Sequence, residues 1–391
     1  FLYSEYCSFR GYSVYSGYSL HSRQAPFMPE FPLEERNLIE PFAAALRNLP
    51  DVEVEPPRKL DPAEPGAREV DAVFDVVIHG KPVTLLVEVK RGGYPRDVRQ
   101  AVWQLRNYVH HVQPRSKSQA TVLFFITEAL SPGAKKFLAH EKIGYFDLGG
   151  SLYLPPPGAY LYIDKPPPKR EARTLRSLFV GKRADVLHFA FFQRDWFGVT
   201  ELAQKSGVSA ATVSEVLSEL DRREWVESRG QGPSKERRLT DAKALLDAWK
   251  THQLSTRPPK LQRYYVSSGG VGPLMRRLSI EGEEHHLRYV VTGEVAAQHY
   301  AQYLSSISQV RCRMLETGTT REVLHNIDAR PVNEGWNLGI IESKSNGDFA
   351  FSERIEGVRM ASPLRTYLDL LQGDGRAKEM AEHLRRERLK V

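Results

Sequence analysis

Charged residues that interrupt core-forming strands are where chemistry is expected, and one stretch of this chain carries three of them. Residues 72–89 read as two apolar runs meeting at a tight His79-Gly80-Lys81-Pro82 turn. The first run contains Asp75 and the second ends in Glu88-Val89, followed by Lys90. Side chains alternate along a strand, so Glu88 and Lys90 share one face while Val87 and Val89 share the other. Acids and ammonium groups are rarely buried unless paired or put to use. Two acids and a lysine on neighbouring strands are the chemistry of a divalent-cation site with an adjacent ammonium. A salt bridge at a sheet edge is the competing account of the same residues.

The elements that must hold these groups can be read around them. After Gly92-Gly93, the positions Val98, Val102, Leu105, Val109 and Val112 recur at helical spacing. Gln100, Gln104 and Tyr108, four apart, lie together beside that stripe. Upstream, Leu33, Leu38, Ile39, Phe42, Leu46 and Leu49 predict an amphipathic helix over 32–49, with Glu40 near its apolar face. A short strand over 52–54 and a Pro-rich loop over 56–66 follow. Residues 120–127 form a continuous apolar run, expected as a strand buried on both faces. Ser131-Pro132 opens a helix to His140, and residues 145–148 and 151–154 predict a closing strand pair. The order α-β-β-β-α-β-α-β suits a mixed sheet with flanking helices.

Asp, then Glu-x-Lys on the next strand, then Gln-x-x-x-Tyr on the following helix resembles the PD-(D/E)XK nuclease superfamily in its RecB-like form. The matching residues are Asp75, Glu88, Lys90, Gln104 and Tyr108, and the resemblance covers roughly residues 30–150. It implies a restriction-endonuclease-like α/β domain over residues 28–165. In that family Asp75, Glu88 and the Val89 carbonyl would hold Mg²⁺ or Mn²⁺. Lys90 would orient the attacking water or neutralise the developing oxyanion. Gln104 and Tyr108 would position the nucleic-acid backbone or support Lys90. An acid on the first helix sometimes joins the metal, which makes Glu40 a candidate, though it serves equally as a solvated charge.

The next segment reads differently. Residues 184–192 predict one helix, Thr200 caps a second, Gly207 supplies a turn and Ser209 caps a third with Val213, Val216, Leu217 and Leu220 inside. A strand begins at Trp225-Val226-Glu227, and a Gly-rich basic tip over 229–235 returns through Arg237-Arg238-Leu239. This resembles a winged helix-turn-helix DNA-binding domain, taken as residues 170–254. The resemblance implies that Ser209, Ala210, Thr212, Ser214 and Glu215 face the major groove, while Arg229, Lys235, Arg237 and Arg238 meet phosphates. Small hydroxyl and methyl groups imply modest sequence specificity. The basic residues Lys169, Arg170, Arg173, Arg176, Lys182 and Arg183 precede it, as a solvated linker or a phosphate-tracking arm.

The remainder, residues 261–391, pairs a strand at 289–291 and Thr292-Gly293-Glu294, with a helix to Leu304, with a segment over 361–371, Gly373-Asp374-Gly375-Arg376 and a charged terminal helix. Together these resemble the C-terminal domain of AbiEi-family antitoxins, thought to relate to the nucleotidyltransferase fold. A working nucleotidyltransferase needs a Gly-Ser turn and paired acids, and this stretch carries neither. A non-catalytic domain that contacts DNA or a partner protein is therefore expected. The added nuclease-like domain departs from the usual antitoxin arrangement.

Composition bounds these expectations. The 391 residues are 41% hydrophobic and 26% charged, which suits a globular α/β plus α+β multidomain protein. A net charge of +7 favours a polyanionic partner, DNA here. Only Cys7 and Cys312 occur, which excludes a disulfide scaffold and fits a reducing cytoplasm. No apolar run approaches the roughly 20 residues a membrane span needs. Residues 1–27, rich in Tyr and Ser and unlike a signal peptide, are expected as a disordered extension ahead of a natural start near Met28, or else as a Tyr-rich interaction segment. Two functions compete: a Mg²⁺-dependent DNA nuclease targeted by its winged helix, and an AbiEi-type regulator that binds DNA without cutting it. A nucleotidyltransferase-type toxin and a second copy of the chain are the candidate protein partners.

Overall fold

The computed structural model describes residues 31–59, 70–109, 120–155, 161–166, 177–315 and 317–391. The expectations for residues 1–27 and for Val112, Lys169, Arg170, Arg173 and Arg176 lie outside the described residues. The architecture is mixed α/β, with two seven-stranded sheets and a two-stranded ribbon. Among the described residues no helix is long and apolar enough to cross a membrane.

The first sheet follows chain order: β1 (Val52–Val54), β2 (Ala72–Ile78), β3 (Lys81–Val89), β4 (Ala120–Thr127), β5 (Gly144–Asp147), β6 (Leu152–Leu154) and β7 (Leu161–Ile163). The β3/β4 and β4/β5 pairs are parallel and the others antiparallel. Helix α1 (Leu33–Arg47) covers one face, burying Leu38, Ile39, Phe42 and Leu46 against Phe74, Leu85, Phe124 and Ile126. Helices α2 (Pro95–Val109) and α3 (Pro132–His140) cover the other, where Val98, Val102, Leu105 and Leu138 meet Val73, Leu86 and Phe125. Ser131 caps α3 by accepting the Ala134 N–H, with Pro132 in its first turn. Val109, expected within the α2 stripe, is exposed.

The β2–β3 turn is shorter than the sequence suggested. His79 and Gly80 alone form it, both at positive φ (48° and 75°), as a type I′ hairpin requires. Ile78 therefore pairs with Lys81, which fixes the register of every residue on β3.

The second part contains α4 (Gly181–Phe192), α5 (Val199–Ser206), α6 (Ala210–Arg222), the ribbon β8 (Val226–Arg229) and β9 (Glu236–Leu239), and α7 (Ala242–Ser255). Gly207 takes a left-handed conformation (φ 65°) that closes α5, and two residues later the Ser209 hydroxyl accepts the Thr212 N–H at the start of α6. Phe197 pairs with Arg237 as a third short strand beside the ribbon.

The second seven-stranded sheet has the order β13-β10-β14-β12-β11-β16-β15. Its strands are β10 (Leu261–Tyr265), β11 (Tyr289–Thr292), β12 (Val310–Leu315), β13 (Arg330–Pro331), β14 (Leu338–Ser343), β15 (Glu353–Ile355) and β16 (Val358–Met360). The helices are α8 (Val271–Glu284), α9 (Gly293–Tyr300), α10 (Gly318–Asn326), α11 (Pro363–Leu370) and α12 (Ala377–Leu384). Helix α9 stops at Tyr300 rather than Leu304, because the Gln298 side chain accepts the Tyr303 and Leu304 N–H groups and turns the chain away.

The expected boundary between 254 and 261 does not separate two cores. One apolar cluster runs from Val213, Leu220 and Trp249 of α6 and α7 into Ala297, Tyr367, Leu368 and Met380 beyond the boundary. The second sheet also has a core of its own, with Leu274, Val291, Cys312 and Ile340 inside it, and the shared cluster lies on the helices α9, α11 and α12 that flank that sheet.

Candidate functional site

The hairpin register decides which acid meets Glu88. Ala72 pairs with Val87, so the next pair along brings Asp71 opposite Glu88. Asp75 pairs with Thr84, four residues and about 13 Å further along β3. There its carboxylate accepts from the Thr84 hydroxyl at 2.8 Å and from Arg58 Nε at 3.1 Å. The expectation that Asp75 shares a metal with Glu88 is corrected on this ground. The turn is two residues rather than four, and the register shifts with it.

Asp71 occupies the position instead. Its Oδ2 accepts the Val89 N–H at 2.6 Å, which ties it to the backbone between Glu88 and Lys90. The Val89 side chain points to the α1 face and is buried there. Glu88 is 3% exposed, and Lys90 Nζ donates to its Oε1. A third acid comes from the first turn of α1. This is Glu35 and not Glu40, which is exposed and bonded to Arg36 at 2.6 Å.

The electrostatics of this corner are those of like charges held together. Burial, and then the Asp71 and Glu35 carboxylates, push Glu88 up to about 7 against the pull of Lys90. Burial raises Asp71, opposed by the Val89 N–H, Lys90 and Lys59. Burial and Asp71 raise Glu35. Hard carboxylate oxygens on a helix and two strands, with a backbone segment between them, fit Mg²⁺ or Mn²⁺. They are not drawn to one point, however: among the described residues only Glu281, Glu284 and His285, on the surface at the end of α8, bring their ligand atoms within 4.8 Å of one another. Gathering a cation at the first site calls for side-chain rotation, and Lys90 must release part of Glu88.

Beside Lys90 lies an open cleft of about 570 Å³. From α2 it takes Arg96, Asp97 and Gln100, and neither Gln104 nor Tyr108 is among its lining residues. Those two lie one and two turns further along α2, both half-buried, so the expected phosphate-positioning pair is set back from the cleft mouth. The close approach that seats α2 depends on Gly93, where a Cβ would meet the Ala129 carbonyl oxygen at 2.0 Å.

At the start of α6, Ser209, Ala210, Ser214 and Glu215 are exposed and Thr212 is half-buried. Glu215 is bonded to Arg183 at 2.6 Å. The ribbon departs further from expectation. Arg237 is 6% exposed and lies against Asp221, so its assignment to phosphate contact is corrected. Strand alternation turns it inward while its neighbour Arg238 turns out. Lys235 is bonded to the same carboxylate at 2.6 Å. With burial opposing, Lys235, Ser228 and Arg237 hold the Asp221 carboxyl below the ordinary range. Arg229 and Arg238 remain exposed, 4.4 and 5.1 Å from the Trp196 ring centre, and are paired with Glu236 and Glu227.

In the second sheet, Gly293 takes φ 67° after Thr292, whose hydroxyl donates to Asp369 Oδ2 at 2.7 Å. The next strand carries Arg311 and Arg313 on one face. Arg313 forks onto Asp369 (2.6 and 2.9 Å) and reaches Asp348 at 3.1 Å, while Arg365 bonds Asp348 at 2.8 Å. Despite burial, the two arginines and Ser343 hold Asp348 down to about 2. Asp185 and His188 of α4 join this cluster through Ser345 and Ser362.

Two residues of the acid corner, Glu35 and Asp71, escape the sequence reading. The signal for Asp71 lies in the turn: His79-Gly80 as a two-residue turn pairs position 71 with 88. No comparable sequence signal singles out Glu35, which is one of two acids in the first turn of α1. No protein-family model matches the chain, and comparison with curated proteins and with solved structures returns no match.

Proposed function

We propose that the chain is a DNA-binding protein whose first unit is a metal-dependent PD-(D/E)XK nuclease-like domain. In this reading, residues 170–254 act as a winged helix-turn-helix that delivers DNA, and residues 261–391 as a nucleotidyltransferase-like, antitoxin-like domain without catalysis. The observation that carries it is Asp71 opposite Glu88 beside Lys90 at the end of β3, with Glu35 of α1 close enough to raise the Glu88 pKa, in a sheet of α-β-β-β-α-β order. Asp71 and Glu88, with the Val89 carbonyl, would hold Mg²⁺ or Mn²⁺, and Glu35 would hold it directly or through water. A divalent cation there supplies Lewis-acid charge to the scissile phosphate and eases ionisation of the attacking water. Lys90 orients that water or meets the charge that builds on the phosphate. Asp71 keeps the Glu88-Val89-Lys90 backbone in place through the Val89 N–H.

The test is incubation of the full chain with linear, circular and single-stranded DNA in Mg²⁺ or Mn²⁺, beside Glu88→Ala, Lys90→Ala and Asp71→Ala. Cleavage lost in all three variants is the expected outcome. Cleavage that persists unchanged in them, or is absent from the unaltered chain, removes the catalytic assignment. A second reading is an AbiEi-type regulator that binds DNA without cutting, with a nucleotidyltransferase-type toxin or a second copy as partner. It is favoured by Arg311 and Arg313, which stand on the strand after the Thr292-Gly293 turn, where a nucleotidyltransferase would need acids. DNA retention without cleavage supports that reading.

A further inference from the structure

Helix α6 belongs to two places at once. Its first half presents Ser209, Ala210, Ser214 and Glu215 to solvent, and its second half packs against α2. Arg99 of α2 donates through Nε to both oxygens of Glu224, just past α6, at 2.9 Å. The Arg223 guanidinium lies 4.9 Å from the Tyr94 ring centre and donates to its hydroxyl at 3.4 Å. This contact carries Glu219 and Arg222 of α6 into the lining of the cleft beside Lys90.

A polyanion approaching Glu35, Asp71 and Glu88 needs cations along its path. Four line the cleft, Lys90, Arg91, the exposed Arg96 of α2 and Arg222 of α6, together with the acids Asp97, Glu128 and Glu219. Lys90 is committed to Glu88, and Arg91 to Glu34 at 2.6 Å. Arg222 is held at one nitrogen by Glu219, at 3.1 Å, with its side chain 53% exposed. A guanidinium offers five N–H donors in a fork that matches phosphate oxygens, so one bond to Glu219 leaves capacity for a strand.

We propose that Arg222 grips a phosphate of a nucleic-acid strand that runs through the cleft beside Lys90 to the Glu35, Asp71 and Glu88 corner, so that the helix-turn-helix completes the site of the nuclease-like unit. The inference rests on the metal-dependent reading above and deepens it: the substrate contact is shared between two units of the chain. One helix thus both faces outward toward DNA and walls the place where DNA would be cut.

The experiment measures binding of a 5′-labelled single-stranded DNA oligonucleotide to the full chain by fluorescence anisotropy, in Ca²⁺ and in EDTA over a range of salt. Mn²⁺ binding by calorimetry runs beside it. The Ca²⁺-dependent gain in affinity isolates binding that depends on a cation at Glu35, Asp71 and Glu88. In Arg222→Ala that gain should fall about tenfold, and the log affinity against log salt slope in Ca²⁺ should flatten by about 0.7, one single-strand phosphate contact. Affinity in EDTA and Mn²⁺ binding should stay as in the unaltered chain, and Arg222→Lys should recover part of the loss. If Arg222→Ala keeps the full gain and slope while Glu88→Gln loses the gain, Arg222 has no such role and the acid corner stands. An unaltered chain that binds Mn²⁺ but shows no Ca²⁺-dependent gain overturns the inference alone. Absence of both Mn²⁺ binding and the gain overturns the metal-dependent reading and the inference with it.

Discussion

Asp71 and Asp75 sit on the same face of the same strand edge, yet their surroundings assign them opposite work. Asp75 is satisfied by Thr84 and Arg58, as a structural acid is. Asp71 faces Glu88 and raises its pKa, as one member of a cation site would. Asp71→Asn should therefore weaken Mn²⁺ binding by at least tenfold in calorimetry while melting near the unaltered chain. Asp75→Asn should keep Mn²⁺ binding and lose about 1–3 kcal/mol of stability, through its buried partners. The reverse pattern would restore Asp75 to the site. Glu88 also makes a pH-dependent contribution. Its folded pKa, about 7, lies above the ordinary 4.5, so the folded state holds the proton that the unfolded state releases between those values. Metal-free stability should fall as pH rises from about 4.5 to about 7, and a divalent cation should stabilise more strongly across the same interval. Thermal melts of Glu88→Gln should show a flatter profile there; an unchanged profile would mean that Glu88 is not the group responsible.

At the scale of elements, periodicity was informative and register was not. The helices over α1, α2, α3 and α6, and the run that became β4, follow from apolar spacing, because that spacing is what buries one face. Lys90 and Glu88 were legible for the same reason: charge at a core position is conspicuous. The partner of Glu88 was not, because a two-residue difference in the length of a turn moves every cross-strand neighbour. The ribbon repeats the lesson. Arg237 and Arg238 look alike in sequence, but alternation buries one against Asp221 and exposes the other beside Trp196. If the ribbon touches DNA, the exposed arginines carry it. The double variant Arg229→Ala with Arg238→Ala should weaken duplex binding and flatten its salt slope by about 1–2. Arg237→Ala should leave the slope unchanged and lower stability by about 1–3 kcal/mol, because Asp221 keeps Lys235 but loses a buried partner. Equal salt slopes in the unaltered chain and the double variant would remove the ribbon from the interface.

At the scale of the molecule, the sequence suggested three beads on a string, and the packing argues for fewer independent parts. Linkers are visible as Pro-rich and basic runs, but composition does not say whether the pieces they join share a core. Trp249 of α7, 2% exposed, sits in the cluster that continues into Tyr367, Leu368 and Met380. The buried set of Asp185, His188, Arg313, Asp348 and Arg365 crosses the same boundary. Ser345 and Ser362 of the second part bond Asp185 and His188 of α4, so separation would leave buried polar groups without these partners. Helices α4 to α7 and the second sheet should therefore unfold as one cooperative unit. Trp249→Ala removes a large side chain from the shared cluster and should cost about 3–5 kcal/mol. Hydrogen exchange followed by mass spectrometry reads the consequence directly. In that variant, amides of α6 and of α11 should lose protection together and by similar factors, although Trp249 belongs to neither helix. Loss confined to α6 and α7, with α11 still protected, would mean that the second sheet holds itself together and that the shared cluster is only a contact between finished domains.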